Sequence, residues 1–313
     1  MTIDSGRVLQ LRARRVRTLA LVSCALSVLV VMVSAFLRLS GAGLGCGDWP
    51  ACYGGILAGA PPTPWPGARL LHRIVATLAL LAAILLAWRC WRPQPLQPAA
   101  RYATLLLALM LFLSVVGVWS ADPRLAVVNF INLVGGLGLV TFSWRVAISA
   151  ETSRWVERAR GGPACRLALA MLTLTVLLGG LIGARYAASA CGTLPDCQGV
   201  WWPAAQGWAA LHPFAVLSGP AAPGEAGGLA LHLLHRYAAA LAAVLLAGVA
   251  LRLRKAPQAR NAALATLTFL LIEALLGALT VASGHSLWLA VAHNVGAALL
   301  LAAAAGLMHS VRQ

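Results

Sequence analysis

Acidic residues are scarce in this chain. Eight Asp and Glu stand against 24 Lys and Arg, and charged residues of both signs make up only 10% of its 313 positions. A soluble domain carries about 25% charged residues, so the shortage excludes an ordinary soluble protein. With a hydrophobic fraction of 60% and a mean hydropathy of +0.83, the composition is that of a polytopic membrane protein. The formal charge of +16 does not indicate a nucleic-acid partner. Its arginines fall in short patches between apolar runs, and no basic stretch is interleaved with aromatics. A cleavable leader is not expected either, because the first apolar run is too long for a signal core and lacks a clear small-residue cleavage site.

A span needs about 20 apolar residues. The apolar runs predict eight, near 17–38, 69–90, 102–121, 124–146, 165–186, 228–251, 261–283 and 286–308, and hence an all-α integral membrane protein. Two connections are long, 39–68 and 187–227. Of the 24 basic residues, 18 fall at the N-terminus, in the second-to-third, fourth-to-fifth and sixth-to-seventh connections, and in the tail. The positive-inside rule then puts both termini on the cytoplasmic side and both long loops outside. The remaining six, Arg38, Arg69, Arg73, Arg124, Arg185 and Arg236, lie at the outer ends of spans.

One stretch occurs twice. Leu70-Leu71-His72-Arg73 and Leu233-Leu234-His235-Arg236 each open an apolar run. Upstream of each copy stands a cysteine pair at one spacing, Cys46/Cys52 and Cys191/Cys197, and upstream of each pair a span ends at Arg38 or Arg185. Four spans per copy give both halves one orientation. The expected architecture is two tandem four-helix bundles related by a pseudo-two-fold along the membrane normal. The expected organisation is a cytoplasmic segment 1–16, an N-terminal half 17–147, a cytoplasmic linker 148–164 and a C-terminal half 165–310. Aligned on Val134-Gly135 and Val295-Gly296, the fourth and eighth spans place His293 opposite Asn132.

An intramembrane histidine is a functional candidate by default. His235 and His293, at matching depth on two spans, suit bis-imidazole ligation of a haem whose propionates reach Arg236 and Arg185. Interhelical hydrogen bonds are the other reading of the pair. In the first half His72 has only Asn132 as counterpart, and an amide is a poor iron ligand. A haem there would keep one face open, as oxidative chemistry requires, whereas a six-coordinate haem serves electron transfer. The repeat-related arginines, Arg38 with Arg185 and Arg73 with Arg236, read as guanidinium forks for an anionic ligand or as side chains snorkelling to headgroups. Cys46, Cys52, Cys191 and Cys197, in oxidising outer loops, read as two disulfides; a metal site is the alternative, with no histidine interleaved. Cys24, Cys90 and Cys165 read as small apolar residues.

Glu273 is the only carboxylate inside an expected span, so it should be neutral or paired. His232 lies one turn before His235, as a supporting partner or an interfacial polar group. His212, His285 and His309 receive no role. Asp48 and Asp196 read as turn formers. The glycine pairs Gly135-Gly136 and Gly179-Gly180 permit close helix approach within a chain or in a homo-oligomer.

These residues resemble the haem A synthase family, eight-helix assembly enzymes of cytochrome oxidase that convert haem O to haem A. The most specific match is RLSGAGLGCGDWPACYG, from Arg38 to Gly54, supported by LLHR at His72 and His235 and by AHNVGAALLL at His293. The likeness spans about residues 17–308. It implies a haem b (iron) held by His235 and His293 and a haem O substrate in the N-terminal half at His72. The implied reaction oxidises the C8 methyl of the porphyrin to a formyl group through successive hydroxylations, making the chain an oxidoreductase acting on CH or CH3 groups. It also implies a Cys46/Cys52 disulfide, a bacterial-type cytoplasmic (inner) membrane, and a haem O synthase and oxidase assembly components as partners. The electron donor is not implied. Two positions depart from the family pattern: Arg69 stands where a glutamate is expected and Asn132 where a second N-terminal histidine is. Those departures fit a second class of function, a haem-binding assembly factor or cytochrome b-like electron carrier. A transporter fits less well, because no matching pair of broken spans is present.

Overall fold

A computed structural model of the chain describes residues 3–41, 65–117, 119, 124–150, 159, 161–214, 217 and 221–311. Among these residues there is no β-strand, and eight helices are long and apolar enough to cross a membrane. They are α1 (Ile3–Gly41), α2 (Pro66–Trp91), α3 (Ala99–Val116), α4 (Ala126–Ser149), α5 (Gly162–Ala184), α6 (Ala226–Leu253), α7 (Arg260–Ala282) and α8 (Leu287–His309). A lipid-embedded backbone must satisfy its polar groups internally, which leaves the helix as the form for such runs. The protein is therefore a multi-pass membrane protein.

Boundaries differ from the sequence expectation at two places. α1 begins at Ile3, well before the apolar run, because Arg, Leu and Gln in the basic segment are good helix formers. α3 stops at Val116 rather than 121, with Gly117 as its C-terminal cap. Helix starts follow local chemistry. Pro66 opens α2 and Pro163 opens α5, where the missing N–H costs nothing. Glu225 caps α6 by accepting from Gly227 N and Gly228 N at 2.9 and 2.6 Å.

Within the first four helices α1 packs on α2 and α4, and α3 on α2 and α4. Within the second four α5 packs on α6 and α8, and α7 on α6 and α8. The two sets meet where α4 packs against α5 and α8, and α1 against α8. Val31, Leu137, Val140, Ala298 and Ala302 form a core at that junction. The two LLHR helices bury one stripe in register: Val75, Ala79, Ala83, Ala87 and Cys90 on α2, and Ala238, Ala242, Leu246, Ala250 and Leu253 on α6. His72 and His235 each stand three residues before the first member, on the same core-facing side.

Arginines at the other end stitch the helices together. Arg12 donates to Arg89 O, Cys90 O and Gln94 O, the open carbonyls beyond α2. Arg145, counted with the fourth connection in the charge pattern, lies buried inside α4 and donates to Ala305 O and Tyr102 Oη. The glycine pairs act within the chain. A Cβ at Gly135 would meet Leu113 of α3, one at Gly136 Val31 of α1, and one at Gly180 Phe130 and Val134 of α4.

Candidate functional site

The rings of His235 on α6 and His293 on α8 face each other with centroids 6.5 Å apart and planes at 85°. His235 donates its Nδ1–H to Thr175 O at 2.9 Å. A carbonyl can only accept, so that contact fixes the tautomer and leaves the Nε2 lone pair for a metal. The Nδ1 of His293 stands 3.1 Å from Glu273 Oε1 on α7. Glycines make room for both rings. A Cβ at Gly179 would come 2.9 Å from His235 Cε1, and one at Gly277 3.1 Å from His293 Cε1. Gly179→Val therefore forces the His235 ring to move, at a cost of about 1–3 kcal/mol of overpacking. A lowered melting temperature of the purified protein is the expected readout; an unchanged one would show that the ring is not held there.

Two imidazoles bonded to opposite sides of one metal ion, at about 2 Å per bond, have centroids about 6 Å apart. The observed centroid separation of 6.5 Å is close to that value. Two nitrogen ligands leave the other positions of the metal to a different donor set, as a macrocycle provides. The residues present thus suit a haem iron.

Around this pair lies a second layer of polar groups. His232 is buried and donates its Nε2–H to Ala187 O at 3.0 Å. Its ring stands 6.3 Å from that of His285, in the turn between α7 and α8. Burial, and then the nearby Arg236, hold His285 below the ordinary histidine pKa, so it is neutral at pH 7. Its Nε2 is buried without a hydrogen-bond partner, as is Nη2 of Arg236. His285 received no role in the sequence; its proximity comes from a turn whose backbone, with φ of +65° at His285 and +66° at Gly284, folds it inward.

The arginines expected to anchor an anion are all engaged by the protein where a bond is resolved. Arg236 Nη1 donates to Pro195 O and Asp196 O at 3.1 and 2.5 Å. Both carbonyls belong to the loop closed by the Cys191–Cys197 disulfide, which places that loop over the His235 helix. Asp196 also accepts from Gly199 N, the turn role expected of it. Arg185 caps α5 and donates to His212 O at 3.3 Å. Arg38 crosses from α1 to the second set of helices, donating to Gly183 O at 3.3 Å and to Asn294 Oδ1, beside His293, at 3.1 Å. A guanidinium has five N–H donors, so none of these bonds exhausts it.

His72 is half-buried, on the stripe of α2 that faces the bundle, and Asn132 is half-buried on α4. Around His72, Arg69, Leu70, Leu71, Arg73 and Ile74 are exposed. The LLHR turns of α6 are covered by Ala187, Pro195 and Asp196, whose carbonyls bond His232 and Arg236. The expected Cys46/Cys52 pair, and Asp48, lie outside the described residues. Cys90 and Cys165 are buried and Cys24 is half-buried; none of the three forms a disulfide.

The family described as cytochrome oxidase assembly protein (COX15-CtaA) matches residues 17–65 and 127–305, which include His235, His293 and Asn132 but not His72. A protein named heme A synthase from Shewanella oneidensis is 31% identical over 305 residues, covering 88% of this chain and 90% of its own. Another of that name, from Novosphingobium aromaticivorans, is 31% identical over 252 residues, 74% of this chain and 68% of its own. A protoheme IX farnesyltransferase from Thermus thermophilus is 33% identical over 174 residues, 50% of this chain and 28% of its own. On that coverage the chain belongs to the cytochrome oxidase assembly protein family, COX15-CtaA.

Proposed function

We propose that this chain is a haem A synthase, oxidising the C8 methyl of haem O to a formyl group, with the two halves dividing the work. The observation that carries the reading is the contrast between halves. One presents two facing imidazoles, 6.5 Å apart, and the other presents His72 with Asn132 as counterpart. The matched burial stripes of α2 and α6 and the like packing within each set of four helices support the repeat behind that contrast. The names of the relatives supply the product, haem A, and the family its place in oxidase assembly.

In this reading His235 and His293 would hold a haem b by their Nε2 atoms, with the His235 ring fixed at Nδ1 by Thr175 O and the two rings backed by Gly179 and Gly277. The bound haem supplies one-electron transfer. Arg236 and His285 present unpartnered buried nitrogens at the outer rim of the site, suited to a propionate. In the other half His72 binds the substrate iron on one side, and Asn132 leaves the opposite side open. Arg73 stands beside His72 to meet a propionate, and Arg38 ties α1 to the segment carrying His293. Position 69, three residues before His72, is an arginine and not a carboxylate, so proton transfer during the oxidation falls to another group or to water.

The basic residues at one end of the helices support an inner-membrane protein with both termini in the cytoplasm. The similarity to part of a farnesyltransferase supports a working association with haem O synthase. The second reading, a haem-binding factor without oxidation, draws on Arg69 and Asn132. Purified protein given haem O, a reductant and oxygen separates the two: a porphyrin mass gain matching hydroxymethyl or formyl supports the enzyme, and unchanged haem O supports the binding protein.

A further inference from the structure

We propose that Glu273 is the positioning residue for His293. Its carboxylate accepts the His293 Nδ1–H, fixes the ring and makes His293 the more electron-rich of two unequal ligands. The inference rests on the reading of His235 and His293 as a haem pair.

Glu273 is the only Asp or Glu inside the eight candidate spans of the described residues. Its side chain is 12% exposed, and Oε1 lies 3.1 Å from His293 Nδ1. The contact is at ion-pair distance and is not a completed hydrogen bond: His293 Nδ1 and Glu273 Oε2 are both buried without a hydrogen-bond partner. Contacts of this kind commonly tighten once the ligand is in place. A buried carboxylate with one polar neighbour is costly unless that neighbour bonds it.

The packing around the pair is specific. Gly296, one turn beyond His293 on α8, is the position where a Cβ would collide with Glu273 Oε2. Gly277, one turn beyond Glu273 on α7, is the position where a Cβ would press on the His293 ring. The first half carries the same frame without the chemistry. Val134-Gly135 matches Val295-Gly296, but a Cβ at Gly135 would meet Leu113 of α3 and no carboxylate. Asn132 stands where His293 would. Carboxylate and histidine therefore occur together in one half and are both absent from the other, which a packing role for Glu273 does not explain.

The two rings are also held differently. His235 meets a neutral carbonyl, Thr175 O; His293 meets a carboxylate. A carboxylate behind a ligating imidazole orients it and raises its basicity, which favours the oxidised metal.

The test is potentiometric titration and electron paramagnetic resonance of haem-loaded protein, comparing wild type with Glu273→Gln and Glu273→Asp. Glu273→Gln is expected to shift the Fe(II)/Fe(III) ratio at fixed potential about tenfold toward Fe(II), a rise of about 59 mV for one electron, and to change the g values. Glu273→Asp should stay nearer wild type. A potential and spectrum unchanged in Glu273→Gln overturn the inference and leave the histidine pair standing. A wild-type protein without a low-spin bis-imidazole signal overturns both. If Glu273→Gln loses haem, Glu273→Asp decides. Haem retained there at low potential supports the inference, and haem lost there too assigns Glu273 to packing and overturns it.

Discussion

His72→Ala abolishes haem A formation and leaves the low-spin haem spectrum of the second half intact. His72 lies on the core-facing stripe of α2, three residues before Val75, so its ring enters the first bundle rather than the lipid. Asn132, opposite it in the repeat, offers no second imidazole. The substrate iron would then lose its one protein bond, and with it the orientation that brings a single methyl to the reacting position. A millimolar-range rescue by added imidazole is expected to restore binding more than turnover, because a free ligand fixes the iron but not the rotation of the ring. Continued haem A production by His72→Ala would show that the two halves have been assigned the wrong way round.

Loss of the low-spin haem is the second large effect. His235→Ala and His293→Ala each remove one of the two proposed ligands, whose ring centroids stand 6.5 Å apart. Removing a supporting partner behind a metal ligand costs about 10–100-fold in affinity, and removing the ligand itself should exceed that. The expected spectrum is five-coordinate or absent in either variant, read from the reduced protein after purification. Haem A formation should fall with it, since electrons no longer reach the first half. Arg38, which joins α1 to Gly183 and Asn294, should behave differently. Arg38→Met is expected to keep the low-spin spectrum while slowing product formation, because it loosens the contact between halves and not the ligands. Normal turnover in that variant would remove Arg38 from the account.

Much of this architecture is written in local pattern. The apolar runs give eight spans because a membrane helix has to be long and apolar by itself, without reference to its neighbours. His72 and His235 stand out because the same four residues open two helices. The pairing of His235 with His293, however, needs two helices to meet, and the sequence shows only that they sit at like depth. Glu273 is visible as a lone carboxylate, yet its neighbour His293 is on another helix and nothing local announces the contact. His285 carries no local signal for the same reason: a turn in left-handed backbone brings it under the rim. The arginines at the outer ends are visible as misplaced charges, but the carbonyls of Gly183, Asp196 and His212 that receive them belong to the folded chain. The start of α1 at Ile3 lies ahead of the apolar run because hydropathy marks where the run begins, not where the helix does.

The central claim is that this protein oxidises a haem in one half with electrons delivered through a haem in the other. It is tested most directly by extracting pigments from membranes that express the chain together with a source of haem O, and separating the haems by chromatography. Haem A or its hydroxylated intermediate, alongside haem b, is the predicted result, and it would show that Arg69 and Asn132 are compatible with catalysis. Haem b with unchanged haem O would contradict the enzyme and leave a haem-binding assembly protein. The absence of any haem would contradict the pair of ligands on which both readings stand.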